Sequence, residues 1–147
     1  MKKFTMLLVS LLLVGYVAVS MASQNSTSRP NDGVFIHVSH GVEDPHRLLM
    51  ALSMANIMAD DHDVLVYFDI EAIDAILKTS ENVQYSHFPG SKNAIKSLVA
   101  KKAHLMACPG CLKAKGKTRD ELLQGIRIAD KETFFSFSKG RIITLDY

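Results

Sequence analysis

Two continuous apolar runs constrain the fold of this chain more than any other feature. Residues 34–38 read Val-Phe-Ile-His-Val, and residues 64–68 read Val-Leu-Val-Tyr-Phe. Runs of this kind are typical of strands that are buried on both faces of a sheet. Between them, Asp44-Pro45 supplies a cap and a first-turn proline for a helix that we expect to reach about Ala59. A strand, a helix and a second strand in this order predict a parallel sheet.

The rest of the chain continues the alternation. Further strands are predicted at residues 83–88, 103–107, 126–128 and 141–145. Helices are predicted at residues 71–77, after Pro89-Gly90-Ser91, and from the capping box at residues 118–121 to Gly125, while residues 130–138 fit either a strand or a short helix. We therefore expect an α/β fold: a single three-layer domain with a mostly parallel sheet of about five strands and helices on both faces.

The first 22 residues predict a secretory signal peptide. Lys2 and Lys3 precede an uncharged, mostly apolar run, and the small residues Ser20 and Ala22 suit cleavage after Ala22. We expect residues 1–22 to be removed, residues 23–32 to form a flexible linker and residues 33–147 to form the α/β domain. The alternative is an uncleaved membrane anchor, because the run is about long enough to cross a bilayer. Both predict a periplasmic or secreted domain.

The charge balance argues against two classes of partner. Removal of residues 1–22 takes two of the 17 basic side chains and none of the 15 acidic ones, so the mature net charge is zero. Nucleic acids and anionic membranes both require clustered positive charge, so we predict neither as a partner. No phosphate loop, Ser-His-Asp order or His-Glu-x-x-His pattern stands out, and we predict no hydrolase or nucleotide function, no cofactor and no metal site.

The concentrated chemistry of the chain lies in the sequence Cys108-Pro109-Gly110-Cys111. The pair stands where a predicted strand turns into a helix, and backbone N–H groups at such a turn stabilise a thiolate. Lys113 and two further lysines follow and add positive potential. We therefore expect a lowered pKa for at least one of the two thiols.

Other polar residues are predicted at the same edge of the sheet. His40 follows the first strand, Asp69 follows the second, and His87 closes the predicted third. Chemistry in parallel sheets gathers at the carboxyl ends of the strands. These three and Lys113 are our candidate supporting residues. We interpret His40 as a proton partner for the thiol, and Asp69 fits equally well as a cap for the helix that follows it. His37 is interpreted as a core residue.

The spacing of the two cysteines is compatible with several functions. The pair can work as a redox couple, close a short disulfide or ligate a metal, although a structural zinc site would need histidines to complete four ligands. A thioredoxin fold is excluded, because four predicted strands precede the pair. A second feature, the stripe of His46, Met50, Met54 and Met58 on the first helix, suits either copper or simple core packing.

The segment from Ala107 to Gly116 resembles the cysteine loop of DsrE/DsrF-like proteins, in which a strand ends in a cysteine and a glycine follows eight residues later. The opening strand, the helix at Asp44-Pro45 and the closing strand match the same plan, so the resemblance covers about residues 33–145. It implies a flavodoxin-like fold and a homo-oligomer, either a trimer or a hexamer.

The resemblance also implies a role for each cysteine. Cys108 matches the position that carries sulfur as a persulfide in relay pathways, and Cys111 matches a second cysteine found in some relatives. The relay members of the family work in the cytoplasm, so the sulfur donor and acceptor of an exported chain are unknown.

Three functions therefore compete at this stage. The first is a sulfur carrier on Cys108 with Cys111 as the resolving thiol, and whether its turnover is catalytic stays open. The second is a thiol–disulfide redox protein that uses the same pair. The third is a non-enzymatic oligomeric module that binds a metal.

Overall fold

The computed structural model describes residues 30–147, so the predicted signal peptide and most of the predicted linker lie outside it. The last linker residues are held to the domain. The Asn31 carbonyl accepts the Ser138 hydroxyl at 2.9 Å, and the Asp32 carboxylate accepts the Arg141 backbone N–H at 3.0 Å. Among residues 30–147, every helix is too short or too polar to cross a bilayer.

Five parallel strands form one sheet in the order β4-β3-β2-β1-β5. They are β1 (Gly33–Val38), β2 (Asp63–Phe68), β3 (His104–Ala107), β4 (Ile126–Ile128) and β5 (Ile142–Asp146). The two continuous apolar runs thus occupy neighbouring interior strands, where both faces and both edges are covered. The predicted α/β class and parallel sheet are confirmed.

Helices follow the strands. They are α1 (Pro45–Met58), α2 (Ala72–Ala75), α3 (Ser91–Ala100), α4 (Pro109–Ala114) and α5 (Lys131–Ser136), with a single 3-10 turn at Arg119–Glu121. Helix α1 begins as predicted, because the Asp44 carboxylate accepts the Arg47 backbone N–H at 3.1 Å and Pro45 needs no partner in the first turn.

Most of the core lies on one side of the sheet, which we call the first face. Alternate residues of β1 and β2 point to it, and helices α1 to α4 contribute the side chains that pack against them. Its fully buried members include Ile36, Val38, Leu48, Leu52, Val66, Phe68, Ile73 and Leu98. Burial of such side chains contributes about 1.5–3 kcal/mol each, so this face dominates the stability of the domain.

The opposite side, the second face, has a thinner cover. Among residues 30–147, helix α5 packs on it, with the Phe134 ring centroid 5.2 Å from the rings of both Phe35 and Tyr67. Phe135 is 78% exposed and Ile142 is 49% exposed. Helices therefore lie on both faces, as predicted, but the second face keeps apolar side chains in contact with solvent.

The predicted strand at residues 83–88 is wrong. The segment is an exposed loop in which Ser86 adopts a left-handed φ of 51°. Its backbone forms hydrogen bonds with α3 instead of with a strand. The Val83 N–H donates to the buried Ser91 Oγ at 3.0 Å, and the Val83 carbonyl accepts the Ser91 N–H at 2.9 Å. His87 therefore does not close a strand, and the strand before Cys108 is the third of the sheet.

The capping box at Thr118 forms, but the helix predicted after it does not. Both reciprocal hydrogen bonds between Thr118 and Glu121 are present around one 3-10 turn. Leu122 is already extended and pairs with Leu77, and the Leu123 N–H donates to the Ile76 carbonyl at 2.9 Å. Tertiary pairing thus overrides the local helix signal. Residues 130–138, left ambiguous by the sequence, contain α5.

Replacement of Ser91 by alanine is expected to destabilise the domain by about 1–2 kcal/mol, because the partly buried Val83 N–H loses its acceptor. Urea unfolding of the parent and of Ser91→Ala measures this change. Ser97→Ala, a half-buried serine on the same helix, is the matched control and should cost less. Equal costs for the two variants would contradict this account of the loop.

Candidate functional site

Cys108 stands one residue beyond the end of β3. Its backbone N–H donates to the Phe68 carbonyl at 2.8 Å, so the ladder between β2 and β3 continues past the last strand residue. Since Phe68 pairs with Ala107, Asp69 and Cys108 come next on the two neighbouring strands. The alternation of side chains turns both toward the second face, on the same side as Tyr67.

The Cys108 sulfur is surrounded by hydrogen-bond donors. As the N-cap of α4 it accepts the Cys111 backbone N–H at 3.4 Å. Burial would raise the pKa of the Cys108 thiol, but hydrogen bonds from the Tyr67 hydroxyl, the Cys111 backbone and thiol, and the Gly110 N–H outweigh it and lower the pKa. The Cys108 thiolate therefore forms more readily than that of an ordinary cysteine, which favours a nucleophilic role.

Tyr67 is the donor that sequence reasoning missed. Burial, the hydrogen bond to Cys108 and the negative charge of Asp69 all raise the pKa of its hydroxyl, so it stays protonated and available to donate. The residue was hidden inside an apolar strand run. Strand register would have identified it. Tyr67 pairs with Met106, and residues two apart on a strand share a face, so Tyr67 lies on the same face as Cys108.

Cys111 lies in the opposite kind of environment. Burial raises the pKa of its thiol, the backbone N–H of Ile70 partly offsets this effect, and the charges of Cys108 and Asp69 raise the pKa further. Both cysteines are free thiols. The pKa values of the two thiols are therefore shifted in opposite directions.

Ile70 holds its position at a cost in backbone energy. Its φ of 44° is in the left-handed region, where a β-branched residue is an outlier. The Ile70 side chain is 54% exposed, while its backbone N–H lowers the pKa of the Cys111 thiol. Strain at a site-forming residue is typical of functional loops and costs of order 1–3 kcal/mol.

Asp69 is fixed by a histidine. The His37 Nε2 lies 2.9 Å from the Asp69 Oδ2, and the His37 Nδ1 lies 2.6 Å from the Asp146 Oδ1. Burial would lower the pKa of His37, but the two carboxylates prevail and raise it. The two carboxylates thus hold the His37 ring from both sides and favour its protonated form.

The interpretation of the two histidines from sequence is thus corrected. His37 is not a bystander in the core, because β1 projects it onto the second face next to Asp69. His40 lies beyond the strand end, where its Nδ1 is 3.1 Å from the Ser39 hydroxyl and its Nε2 is 3.3 Å from Arg47. The hydrogen bonds of His40 thus lead away from both cysteines, so the structure does not bring it to the thiol.

The lysines after the cysteine pair face other partners. Lys115 contacts Glu71 at 2.9 Å and Asp74 at 2.8 Å, and Lys117 contacts Glu121 at 3.2 Å. Lys113 is exposed in the last turn of α4. The lowered pKa of Cys108 thus depends on hydrogen bonds rather than on the positive potential that the sequence suggested.

The profile of the DsrE/DsrF-like family matches residues 32–139. The chain belongs to the DsrE/DsrF-like family. No curated protein matches the sequence. The fold is similar to that of the ychN protein from E. coli, with a TM-score of 0.55 and 14% identity over 78% of this chain and 99% of that one. It is also similar to MTH1491, a protein of unknown function from Methanobacterium thermoautotrophicum, with a TM-score of 0.58 and 18% identity over 78% of this chain and 100% of that one.

Membership of the DsrE/DsrF-like family supports a sulfur-relay type of role. The chemistry of the site fits that role, because a half-buried cysteine with a lowered pKa stands at the carboxyl edge of a parallel sheet. Asp69 shares this edge, as the strand pattern predicted.

The remaining sequence candidates of this DsrE/DsrF-like protein lie elsewhere. His87 stacks on Phe88 in the exposed loop, with ring centroids 4.6 Å apart, and His46 stacks on Tyr85 at 4.9 Å. Met50 lines an open cleft of about 480 Å³ beside His40. Between residues 30 and 147, no three His, Cys, Asp or Glu side chains are grouped so that they could hold a metal ion.

Replacement of Tyr67 by phenylalanine is expected to raise the pKa of Cys108, because the thiolate loses a hydroxyl donor. Loss of a charge-assisted hydrogen bond of roughly 1.5 kcal/mol lowers the thiolate fraction about tenfold at a pH below the pKa. Because a thiolate of higher pKa is more nucleophilic, each remaining thiolate reacts about threefold faster. Alkylation of Cys108 by iodoacetamide should therefore be about threefold slower below the midpoint, with the midpoint at higher pH. Tyr85→Phe, in the exposed loop, should leave the profile unchanged. A parent-like Tyr67→Phe profile would remove Tyr67 from the site.

Proposed function

We propose that this DsrE/DsrF-like protein is an exported sulfur carrier that holds sulfur as a persulfide on Cys108. The observation that carries the proposal is the set of donors around the Cys108 sulfur, supplied by Tyr67, Gly110 and Cys111. These donors stabilise a thiolate before reaction, and they can equally solvate the anionic sulfur that is restored when the persulfide is handed on.

Loading requires no external oxidant when the donor is itself a persulfide. The Cys108 thiolate attacks the terminal sulfur of R–S–SH, the S–S bond of the donor breaks, and R–S⁻ leaves. The product is Cys108–S–SH, which keeps the proton of the transferred sulfur. Transfer to an acceptor thiolate is the same reaction in reverse, so the lowered pKa of Cys108 makes it a good leaving group.

A thiol–disulfide redox function is the second candidate. The observation that favours it is that two free cysteines share one helical turn, with the Cys111 backbone N–H donating to the Cys108 sulfur at 3.4 Å. A disulfide between them is the expected product of oxidation outside the cytoplasm. In that case the pair would exchange electrons rather than sulfur.

Intact mass spectrometry separates the two functions. The mature protein is reduced, treated with inorganic polysulfide and weighed with and without a second reduction. We expect a reducible gain of about 32 Da, one sulfur atom, in the parent and in Cys111→Ser, and no gain in Cys108→Ser. Retention of the gain in Cys108→Ser would contradict the carrier function.

A different result supports the redox function. A stable loss of about 2 Da, with no sulfur uptake, would mean that polysulfide only oxidises the pair to a disulfide. A reduction potential below about −300 mV would then indicate a structural bond, and a higher one a redox-active pair.

The proposed location rests on the sequence of residues 1–22, which has the layout of an export signal. A carrier outside the cytoplasm would meet small sulfur compounds or the cysteines of other exported proteins. Its donor and acceptor are therefore sought among those two classes.

We also propose that the protein is a homo-oligomer, a trimer or a hexamer, in which a second copy covers the second face. Apolar side chains support this, since Phe135 and Ile142 are exposed beside the half-buried Phe35 and Tyr67. Strand register turns Cys108 and Asp69 to the same face, so a neighbouring copy would lie close to them.

Phe135→Asp is expected to reduce the oligomer to smaller species, because it places a charge on the apolar surface. Light scattering coupled to size-exclusion chromatography measures the mass. Ile57→Asp, on a residue of α1 that is 62% exposed, is the control and should keep the parent mass. An unchanged mass for Phe135→Asp would place the subunit contact elsewhere.

A further inference from the structure

A carrier with a second thiol beside its persulfide faces a side reaction. If the Cys111 thiolate attacks the Cys108 sulfur, the bond to the carried sulfur breaks, HS⁻ leaves and a disulfide forms. The carried sulfur is reduced to sulfide, the two cysteines are oxidised, and the proton of the Cys111 thiol goes to solvent. The reaction needs no other reagent, so the ionisation of Cys111 decides how long the persulfide lasts.

Strand register places a carboxylate at the cysteine turn. Asp69 and Cys108 directly follow the paired residues Phe68 and Ala107 on neighbouring strands, and the Cys111 backbone N–H donates to the Cys108 sulfur at 3.4 Å. The negative charge of Asp69 raises the pKa of the Cys111 thiol. The Asp69 side chain is only 17% exposed, and one of its oxygens, Oδ1, is buried without a hydrogen-bond partner among residues 30–147. A carboxylate oxygen without a donor keeps its full charge, which makes an anion next to it unfavourable.

The same carboxylate is held in place from behind. His37 bonds the other oxygen of Asp69 and is itself bonded to Asp146 at the strand end of β5. Three neighbouring strands thus fix the orientation of the Asp69 carboxylate. A protonated His37 is shared between two carboxylates, so the group of three keeps a net negative charge, and Lys115 is paired with Glu71 and Asp74 instead.

We propose that Asp69, oriented by His37 and Asp146, keeps Cys111 in its thiol form and so protects the persulfide on Cys108 from discharge as sulfide. The proposal rests on the proposed carrier function and adds the regulation of its lifetime. Asp69 acts through Cys111 and is therefore a positioning residue. Discharge increases as pH rises, since Cys111 then ionises.

The groups that surround Cys111 define the pH response. They are the thiol of Cys108 on the same turn, the carboxylate of Asp69 and the hydroxyl of Tyr67 from β2, and His37 behind the carboxylate. Among these groups, Asp69 is the one whose negative charge can be removed without loss of a cysteine.

Sulfide release tests the proposal directly. The parent, Asp69→Asn and Asp61→Asn are loaded with inorganic polysulfide, freed of excess reagent and followed from pH 6 to pH 9 by sulfide assay and intact mass. We expect Asp69→Asn to release sulfide roughly fivefold faster than the parent at pH 7, with its profile moved to lower pH. Asp61→Asn, an exposed aspartate that also pairs with a histidine, should match the parent.

Two further variants define the mechanism. Cys111→Ser should keep its persulfide across the pH range, and Asp69→Glu, which retains the charge, should restore slow release. Identical release from the parent and Asp69→Asn would overturn the proposal, and so would release from Cys111→Ser at the parent rate.

A second measurement does not depend on sulfur loading. In the Cys108→Ser background, alkylation of Cys111 by iodoacetamide is followed against pH with Asp69 present and with Asp69→Asn. We expect the midpoint to fall in the Asp69→Asn protein, and an unchanged midpoint would overturn the role of Asp69. If polysulfide loads no sulfur on the parent, the carrier function fails, while the alkylation result still decides whether Asp69 controls Cys111.

Discussion

The hydrogen bond from the Cys108 backbone N–H to the Phe68 carbonyl is the interaction on which the site depends. It extends the parallel ladder one residue past β3, so the cysteine keeps the register of the strand although it caps a helix. A shift of one residue would turn Cys108 to the first face, into the apolar core and away from Tyr67 and Asp69. The chemistry of the site thus follows from strand register.

Within that frame, the two cysteines acquire opposite character from one short turn. Cys108 is surrounded by N–H and O–H donors, which favour the anion, whereas Cys111 lies near negative charge, which disfavours it. Both are similarly half-buried, so burial cannot account for the difference. The surrounding dipoles and charges thus lower the pKa of Cys108, the proposed nucleophile, and raise the pKa of Cys111.

The sequence predicted those parts of the fold that depend on local patterns. Helix α1 and the central strands followed from a cap, a proline and unbroken apolar runs. Residues 83–88 were misread because their aromatic and β-branched composition suits a strand, while the partner of the Val83 N–H, the side chain of Ser91, is not visible in composition.

The candidate site was predictable to the same extent. Cys108 and Asp69 follow strands directly, so the strand-end rule found them. Tyr67 and His37 belong to the site because alternate residues of adjacent strands share a face, and an apolar run conceals which residues those are. The placement of His37 in the core was wrong for this reason, since the edge of the sheet was considered without its faces.

The position of β5 has a consequence for how the chain assembles. This strand pairs with β1, and Arg141 bonds Asp32 across 109 residues. In vectorial synthesis the first strand of the sheet therefore keeps one open edge until the last strand has emerged. Contacts of such long range slow folding, because chain entropy is lost before they form. Because β5 also carries Asp146, the contact between Asp146 and His37 forms only when β5 pairs with β1, well after the cysteines have been synthesised.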